Sequence, residues 1–222
     1  MKTSAGFSKG YQKIQDRVLA MGDMVTKEIN RSIEALKARD LKMAHQIIAD
    51  DTKIDDIRFD IEGMCIELMG AQKLTVADRR VIVSVINIST ELERIGDYAE
   101  GIAKIVVMIG DEPPLKPLID IPRMAELTIE MIDKSLKSFV DRDVKLARHV
   151  VTMDNLVDGL YDQVFRELLT FMMVDPKTIN RATRLMWVAH NLERAADRVT
   201  NICERVVFTV TGKMEGLQVS KY

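Results

Sequence analysis

Ser32-Ile33-Glu34-Ala35-Leu36-Lys37-Ala38-Arg39-Asp40-Leu41-Lys42-Met43-Ala44 returns, 103 residues later, as Ser135-Leu136-Lys137-Ser138-Phe139-Val140-Asp141-Arg142-Asp143-Val144-Lys145-Leu146-Ala147. Ser, Arg, Asp, Lys and Ala recur at matched positions, and the apolar positions stay apolar. Repetition of a whole supersecondary unit sets the architecture before any single element is read. Each copy joins the end of one amphipathic segment to the start of another, with Asp40 and Asp143 as N-caps.

Working outward, Ile14, Val18, Met21, Val25, Ile29, Ile33 and Leu36 recur every three or four residues. They predict a helix from about Phe7 to Arg39 with one apolar stripe. A second helix follows to about Ala71. Thr75 with Asp78 resembles a capping box and opens a third, which stops at Gly110. Four of the five prolines fall between Gly110 and Pro122, so this stretch is a linker rather than a helix. The scheme then repeats: Pro122 to Arg142, Asp143 to Val174, and a last helix announced by Asp175-Pro176 and ending near Gly212. The expected fold is all-α: six long helices forming two tandem antiparallel three-helix bundles with a pseudo-two-fold repeat, residues 1–112 and 113–222. Helices of about 30 residues would be ~45 Å long, a shape suited to docking partners.

Composition narrows the function. A net charge of −2 gives no reason to expect nucleic acid. No stretch is apolar for the ~20 residues that a membrane span requires. Met1–Gly6 lacks the apolar core of a signal peptide. Cys65 and Cys203 read as small buried hydrophobes of a cytoplasmic chain. Trp187 is expected to pack in a core or interface, and Met64, Met69, Met172 and Met173 to fill core space. The tail from Lys213 to Tyr222 is expected to be loose. No nucleophile arrangement or phosphate-binding glycine loop occurs, so no enzymatic activity is expected. No Glu-x-x-His occurs, which excludes a di-iron centre of the ferritin type.

The chemistry-bearing residues are acidic. Leu92-Glu93-Arg94-Ile95-Gly96-Asp97 matches Leu192-Glu193-Arg194-Ala195-Ala196-Asp197. Glu and Asp four apart share a helix face. The preceding helices carry Asp51 with Asp55 and Asp154 with Asp158. Asp55 and Glu93 are equidistant from the Leu74-Thr75 turn, as are Asp51 and Asp97. Asp158 and Glu193, and Asp154 and Asp197, are equidistant from the Asp175-Pro176 turn. Each unit should therefore hold four carboxylates at one level on two neighbouring helices. Such a group repels itself. Arg94 and Arg194 could neutralise part of it, and a hard cation such as Mg²⁺, Ca²⁺, Mn²⁺ or ferric iron could neutralise all of it. His190, one turn before Glu193, could add a nitrogen ligand; its counterpart is Thr90. A solvated acidic stripe with interspersed arginines is the plainer alternative.

With these residues in view, the duplicated Leu-Glu-Arg-x-x-Asp motif, each copy following an Asp-x-x-x-Asp helix, resembles the PhoU family of phosphate-uptake regulators. The resemblance covers nearly the whole chain. It implies metal at Asp51, Asp55, Glu93 and Asp97, and at Asp154, Asp158, Glu193 and Asp197: iron, or manganese, magnesium, calcium or zinc, with no organic cofactor. It implies an adaptor between a phosphate ABC transporter ATPase and a sensor histidine kinase. Such an adaptor holds the phosphate-starvation response off, reaches the membrane only through partners, and acts as a homodimer. The family pattern continues with Asn four residues after the motif's Asp. Asn201 fits and Gly101 does not, which implies a weaker or differently coordinated first site. A helical scaffold or chaperone-like bundle without a metal role is the competing expectation.

Overall fold

The computed structural model describes residues 5–70 and 73–217, with side chains from residue 8 onward. It contains α1 (Ala5–Ala38), α2 (Leu41–Asp50), α3 (Thr52–Gly70), α4 (Val76–Ile109), α5 (Asp120–Asp141), α6 (Val144–Val174) and α7 (Ile179–Thr211). The six expected helices are present, and the second is interrupted at Asp51 to give α2 and α3. Its expected end at Ala71 lies outside the described residues.

The duplicated Arg-Asp step builds the same turn twice. Arg39 and Arg142 are left-handed, with φ of 55° and 53°. Each following Asp N–H donates back to a carbonyl of the preceding helix, Ala35 and Ser138, at 2.9 Å. The Asp side chains then cap the next helix, Asp40 accepting from Met43 N–H and Asp143 from Lys145 and Leu146 N–H. Ser32 and Ser135, both fully buried, satisfy their hydroxyls on Ile29 and Ile132 carbonyls at 2.8 Å. Thr75 and Asp78 form a reciprocal capping box. Asp175-Pro176 opens a single 3₁₀ turn, Pro176–Thr178, before α7 begins.

Four helices form a central ring: α1 packs on α4, α4 on α7, α7 on α5 and α5 on α1. α2 and α3 cover the α1–α4 side, and α6 covers the α5–α7 side. The apolar stripe of α1 is buried as read, and Met21, Val18 and Val25 are fully enclosed. The α4–α7 pair is antiparallel along its length. Numbers rise from Arg80 of α4 to Glu112, just past its end, as those of their partners fall from Gly212, just past the end of α7, to Arg184. Arg80 stacks toward Phe208, and Arg184 pairs with Glu112 at 3.2 Å.

Three expectations change. Trp187 is 50% exposed, so it does not pack in the core, which leaves the interface half of its expectation; Met69 and Met173 are also exposed, whereas Met64 and Met172 pack against the core as expected. The start of the tail is held: Leu217 N–H donates to Glu204 at 2.9 Å, and Arg148 pairs with Glu215 at 2.7 Å. Residues 218–222 lie outside the described residues. Cys65 and Cys203 are buried and unbridged, as expected. No helix among the described residues is long and apolar enough to cross a membrane.

Close approach of α1 and α5 depends on Gly22, where an added Cβ would lie 2.2 Å from a methyl carbon of Leu136. Gly22→Leu should therefore cost about 1–3 kcal/mol in urea unfolding. Gly63→Ala meets open space on α3 and should gain about 0.5–1 kcal/mol.

Candidate metal centre

In the first unit the helix break puts Asp51 against α4. Gly96 makes room for Ile54, which a Cβ there would meet at 3.0 Å, and lies beside Asp51, whose Oδ1 would be 3.9 Å from that Cβ. Asp51 is held up at about 6 by burial first, then by the charges of Glu100, Asp97 and Asp55. Burial and Asp97 also raise Glu93, with Arg58 opposing. Burial, Asp55 and Glu100 raise Asp97 against Lys104 and Arg94. The four carboxylates read from the sequence thus share one electrostatic neighbourhood. Glu100 joins them, and its place three residues after Asp97 could have shown this. Its carboxylate also pairs with Lys104 at 2.5 Å.

In the second unit Glu193 is pushed up to about 7, by burial first, then Asp197, against Arg194, with Asp158 adding to the rise. Asp154 lies one turn before Asp158 on α6 and is buried. Tyr161, one turn beyond Asp158, joins this group. Its phenol is raised by burial and then by Glu193, and its ring centroid lies 6.1 Å from that of His190. Arg194 binds Asp197 at 2.6 Å, as expected of a neutralising neighbour. Arg94 instead reaches Glu91 at 3.5 Å.

Among the described residues, no three His, Cys, Asp or Glu side chains form a ready-made metal cage. Two observations nonetheless suit a cation. The donors are oxygen-rich and mutually repelling. Glu193 Oε2 is buried and makes no hydrogen bond, which costs free energy until something satisfies it.

The Gly101/Asn201 asymmetry also bears on the seam between the units. Asn201 Nδ2 donates to Glu91 at 3.1 Å across the α4–α7 seam. Arg198 lies 3.5 Å from the same carboxylate. Gly101 faces Asn191 of α7, where an added Cβ would sit 2.9 Å from Asn191 Oδ1. Both positions therefore contact the seam between the units, Gly101 toward Asn191 of α7 and Asn201 toward Glu91 of α4.

The electrostatics have a signed consequence. Asp51 and Glu193 bind protons more tightly folded than unfolded, so their contribution to stability is complete near pH 4 and is lost as pH rises toward 7. Asp51→Asn with Glu193→Gln should flatten that fall in unfolding measured at about pH 4.5 and about pH 7.5. Asp50 acts oppositely: Lys53 and Arg31 lower it to about 2, so its contribution is lost only in stronger acid. Gly101→Asn should strain the seam by about 1 kcal/mol in urea unfolding.

The family model described as the PhoU domain matches residues 18–106 and 121–206. The chain is 37% identical over 186 residues to the phosphate-specific transport system accessory protein PhoU homolog of Aquifex aeolicus, covering 84% of each. It is 37% identical over 212 residues to the protein of the same name from Clostridium acetobutylicum, covering 95% of this chain and 97% of that one. Its fold matches the crystal structure of PhoU from Pseudomonas aeruginosa with a TM-score of 0.88 at 30% identity, over 93% of this chain and 100% of that one. A two-fold array of three-helix units, with the duplicated acidic motif on matching helices, is thus accompanied by similarity across nearly the full length, and the chain belongs to the PhoU family.

Proposed function

We propose that this chain is a cytoplasmic, non-enzymatic accessory regulator of a phosphate ABC transporter. In this reading it acts as an adaptor between the transporter's ATPase and a sensor histidine kinase, restrains phosphate uptake and holds the starvation response off. It works as a homodimer and meets the membrane only through its partners. The observation that carries the reading is the 37% identity along 95% of the chain to a phosphate-specific transport system accessory protein homolog. Four helices of 31 to 34 residues, α1, α4, α6 and α7, give the long lateral surface an adaptor needs.

The eight carboxylates are the metal-binding part of this proposal, with residues 1–112 and 113–222 contributing one cluster each. Asp51, Asp55, Glu93 and Asp97 would hold one cation or cation cluster, and Asp154, Asp158, Glu193 and Asp197 the other. Iron, manganese, magnesium, calcium and zinc are the candidates. Bound there, a cation would supply positive charge that offsets both the burial that mainly raises Asp51 and Glu193 and the repulsion of the neighbouring carboxylates that adds to it. The chain's own residues hold the clusters in place: Gly96 admits Ile54 of α3 next to Asp51, and Arg194 orients Asp197.

Protein purified without chelator should carry metal, and Mn²⁺ at about 100 times its dissociation constant should raise stability by about 2.7 kcal/mol. Replacing all eight carboxylates by Ala should abolish both effects. Pull-down with the transporter ATPase and the sensor kinase should retain each. Retention of neither partner under any phosphate condition would leave a plain helical scaffold as the better account. Unchanged metal content in the eightfold variant would end the metal assignment.

A further inference from the structure

The two units carry different chemistry at matched positions of one fold. Tyr161 and Phe165 of α6, with Trp187 and His190 of α7, stand where the first unit has Arg58 and Glu62 of α3, with Asn87 and Thr90 of α4. In the first unit Arg58 pairs with Glu62 at 3.4 Å. Asn87 and Thr90 donate to carbonyls of their own helix, those of Val83 and Ile86. In the second unit the ion pair gives way to a ring contact, Tyr161 and Phe165 lying 6.4 Å apart between centroids, and Tyr161 also lies 6.1 Å from His190. The first unit packs with polar side chains at these four places, so the bundle itself does not call for aromatic ones.

The aromatic residues continue into an exposed apolar stripe. Phe165 is 41% exposed, Leu169 42% and Met173 74%. Spaced four apart, they share one face of α6. Phe165 and Trp187 are nearly equidistant from the Asp175-Pro176 turn, so the half-exposed indole stands level with the ring on the neighbouring helix. From Tyr161 to Met173 the stripe runs ~18 Å, about three turns of a partner helix. Exposed aromatic side chains are the usual anchors of an interface, and an apolar face between two helices suits an amphipathic helix presenting residues at i, i+4 and i+7.

Charge selects the occupant. Beyond Tyr161 the stripe meets Asp154, Asp158, Glu193 and Asp197, with Arg194 on Asp197 at 2.6 Å. Four carboxylates outweigh one arginine, and a single bound divalent ion would not reverse the sign. A second copy of the same stripe brings the same acidic end, whereas a basic helix brings the opposite charge. We propose that the α6–α7 face centred on Phe165 and Trp187 is a docking surface for an amphipathic, basic helix of a partner protein, and that the first unit lacks its equivalent. This rests on the adaptor reading given above and names the surface and the partner chemistry it uses.

The test uses full-length, metal-stripped protein and a fluorescently labelled amphipathic peptide of leucine and lysine, about 18 residues long, with a leucine–glutamate peptide of the same pattern as control. The variant Tyr161→Arg, Phe165→Glu, Trp187→Asn gives the second unit the residues of the first, and circular dichroism checks that it folds. By anisotropy, the wild type should bind the lysine peptide at least about tenfold more tightly than the variant does, and at least about tenfold more tightly than it binds the glutamate peptide. Trp187 is the only tryptophan. Its emission in the wild type should move to shorter wavelength as the peptide covers it, a readout that needs no variant. Equal binding by the variant, equal binding of the glutamate peptide, or an unmoved Trp187 emission would overturn the proposal. So would a concentration-dependent dimer on size exclusion that the variant abolishes in the absence of peptide binding, since a second copy would then be the occupant. Pull-down separates this claim from the adaptor reading. If the transporter ATPase and the sensor kinase are retained equally by wild type and variant, this surface is wrong and the adaptor stands. If the peptide binds as expected but the wild type retains neither protein, the adaptor reading fails and the surface stands.

Discussion

The structure depends on the antiparallel seam between α4 and α7. These helices of 34 and 33 residues are each about 50 Å long, and they carry the two copies of the acidic motif. Along the seam, Leu92, Ile95 and Ala99 of α4 and Leu192, Ala195 and Val199 of α7 are all fully buried. Polar contacts set the register: Asn201 and Arg198 meet Glu91, and Arg194 hydrogen-bonds Tyr98. Glu93 and Asp97 lie beside the α4 anchors and Glu193 and Asp197 beside those of α7, and each acidic pair interacts with its own flanking helix, through Asp55 of α3 and Asp158 of α6. The clusters therefore lie on opposite flanks of one rigid pair.

This arrangement explains why the clusters tolerate their own charge. Burial is the largest cause of the raised values at Asp51 and Glu193, ahead of any neighbouring carboxylate. The helices hold these groups part-way out of water because their backbones are fixed by core packing on the other face: Ile54 and Ile57 beside Asp55, and Leu192 and Ala196 beside Glu193. A carboxylate held in that position by packing is favourable to a cation and unfavourable to its own ionised, unneutralised form. Arginines moderate this unequally. Arg194 hydrogen-bonds Asp197, whereas Arg94 pairs with Glu91 on the seam and reaches the first cluster only through space, behind Lys104 at Asp97 and Arg58 at Glu93.

Much of this was legible in residue patterns. The duplicated Arg-Asp step specifies the turns because an Asp cap works through local hydrogen bonds, and Thr75 with Asp78 works the same way. Equidistance from a turn placed Asp51, Asp55, Glu93 and Asp97 together because a helical hairpin is rigid enough for counting. Features set between distant elements were not legible. The break at Asp51 involves no proline or glycine; the adjacent Asp50 is held by Arg31 of α1 at 2.9 Å, a partner 19 residues away. The contact of Gly101 across the seam was not legible because sequence does not say which face of α4 meets α7. Asn191, which Gly101 accommodates, lies in the other unit. Trp187 was read by residue type alone, and its helix turns that position outward.

The central claim is that the duplicated carboxylates are two cation sites set on opposite flanks of the α4–α7 pair. The most direct measurement is anomalous scattering at the manganese edge from crystals grown with Mn²⁺. The account predicts anomalous peaks between the Asp51 break and α4 and between α6 and α7, each within coordination distance of its own unit's carboxylates. Manganese absent from both flanks, or bound only elsewhere on the molecule, would contradict it.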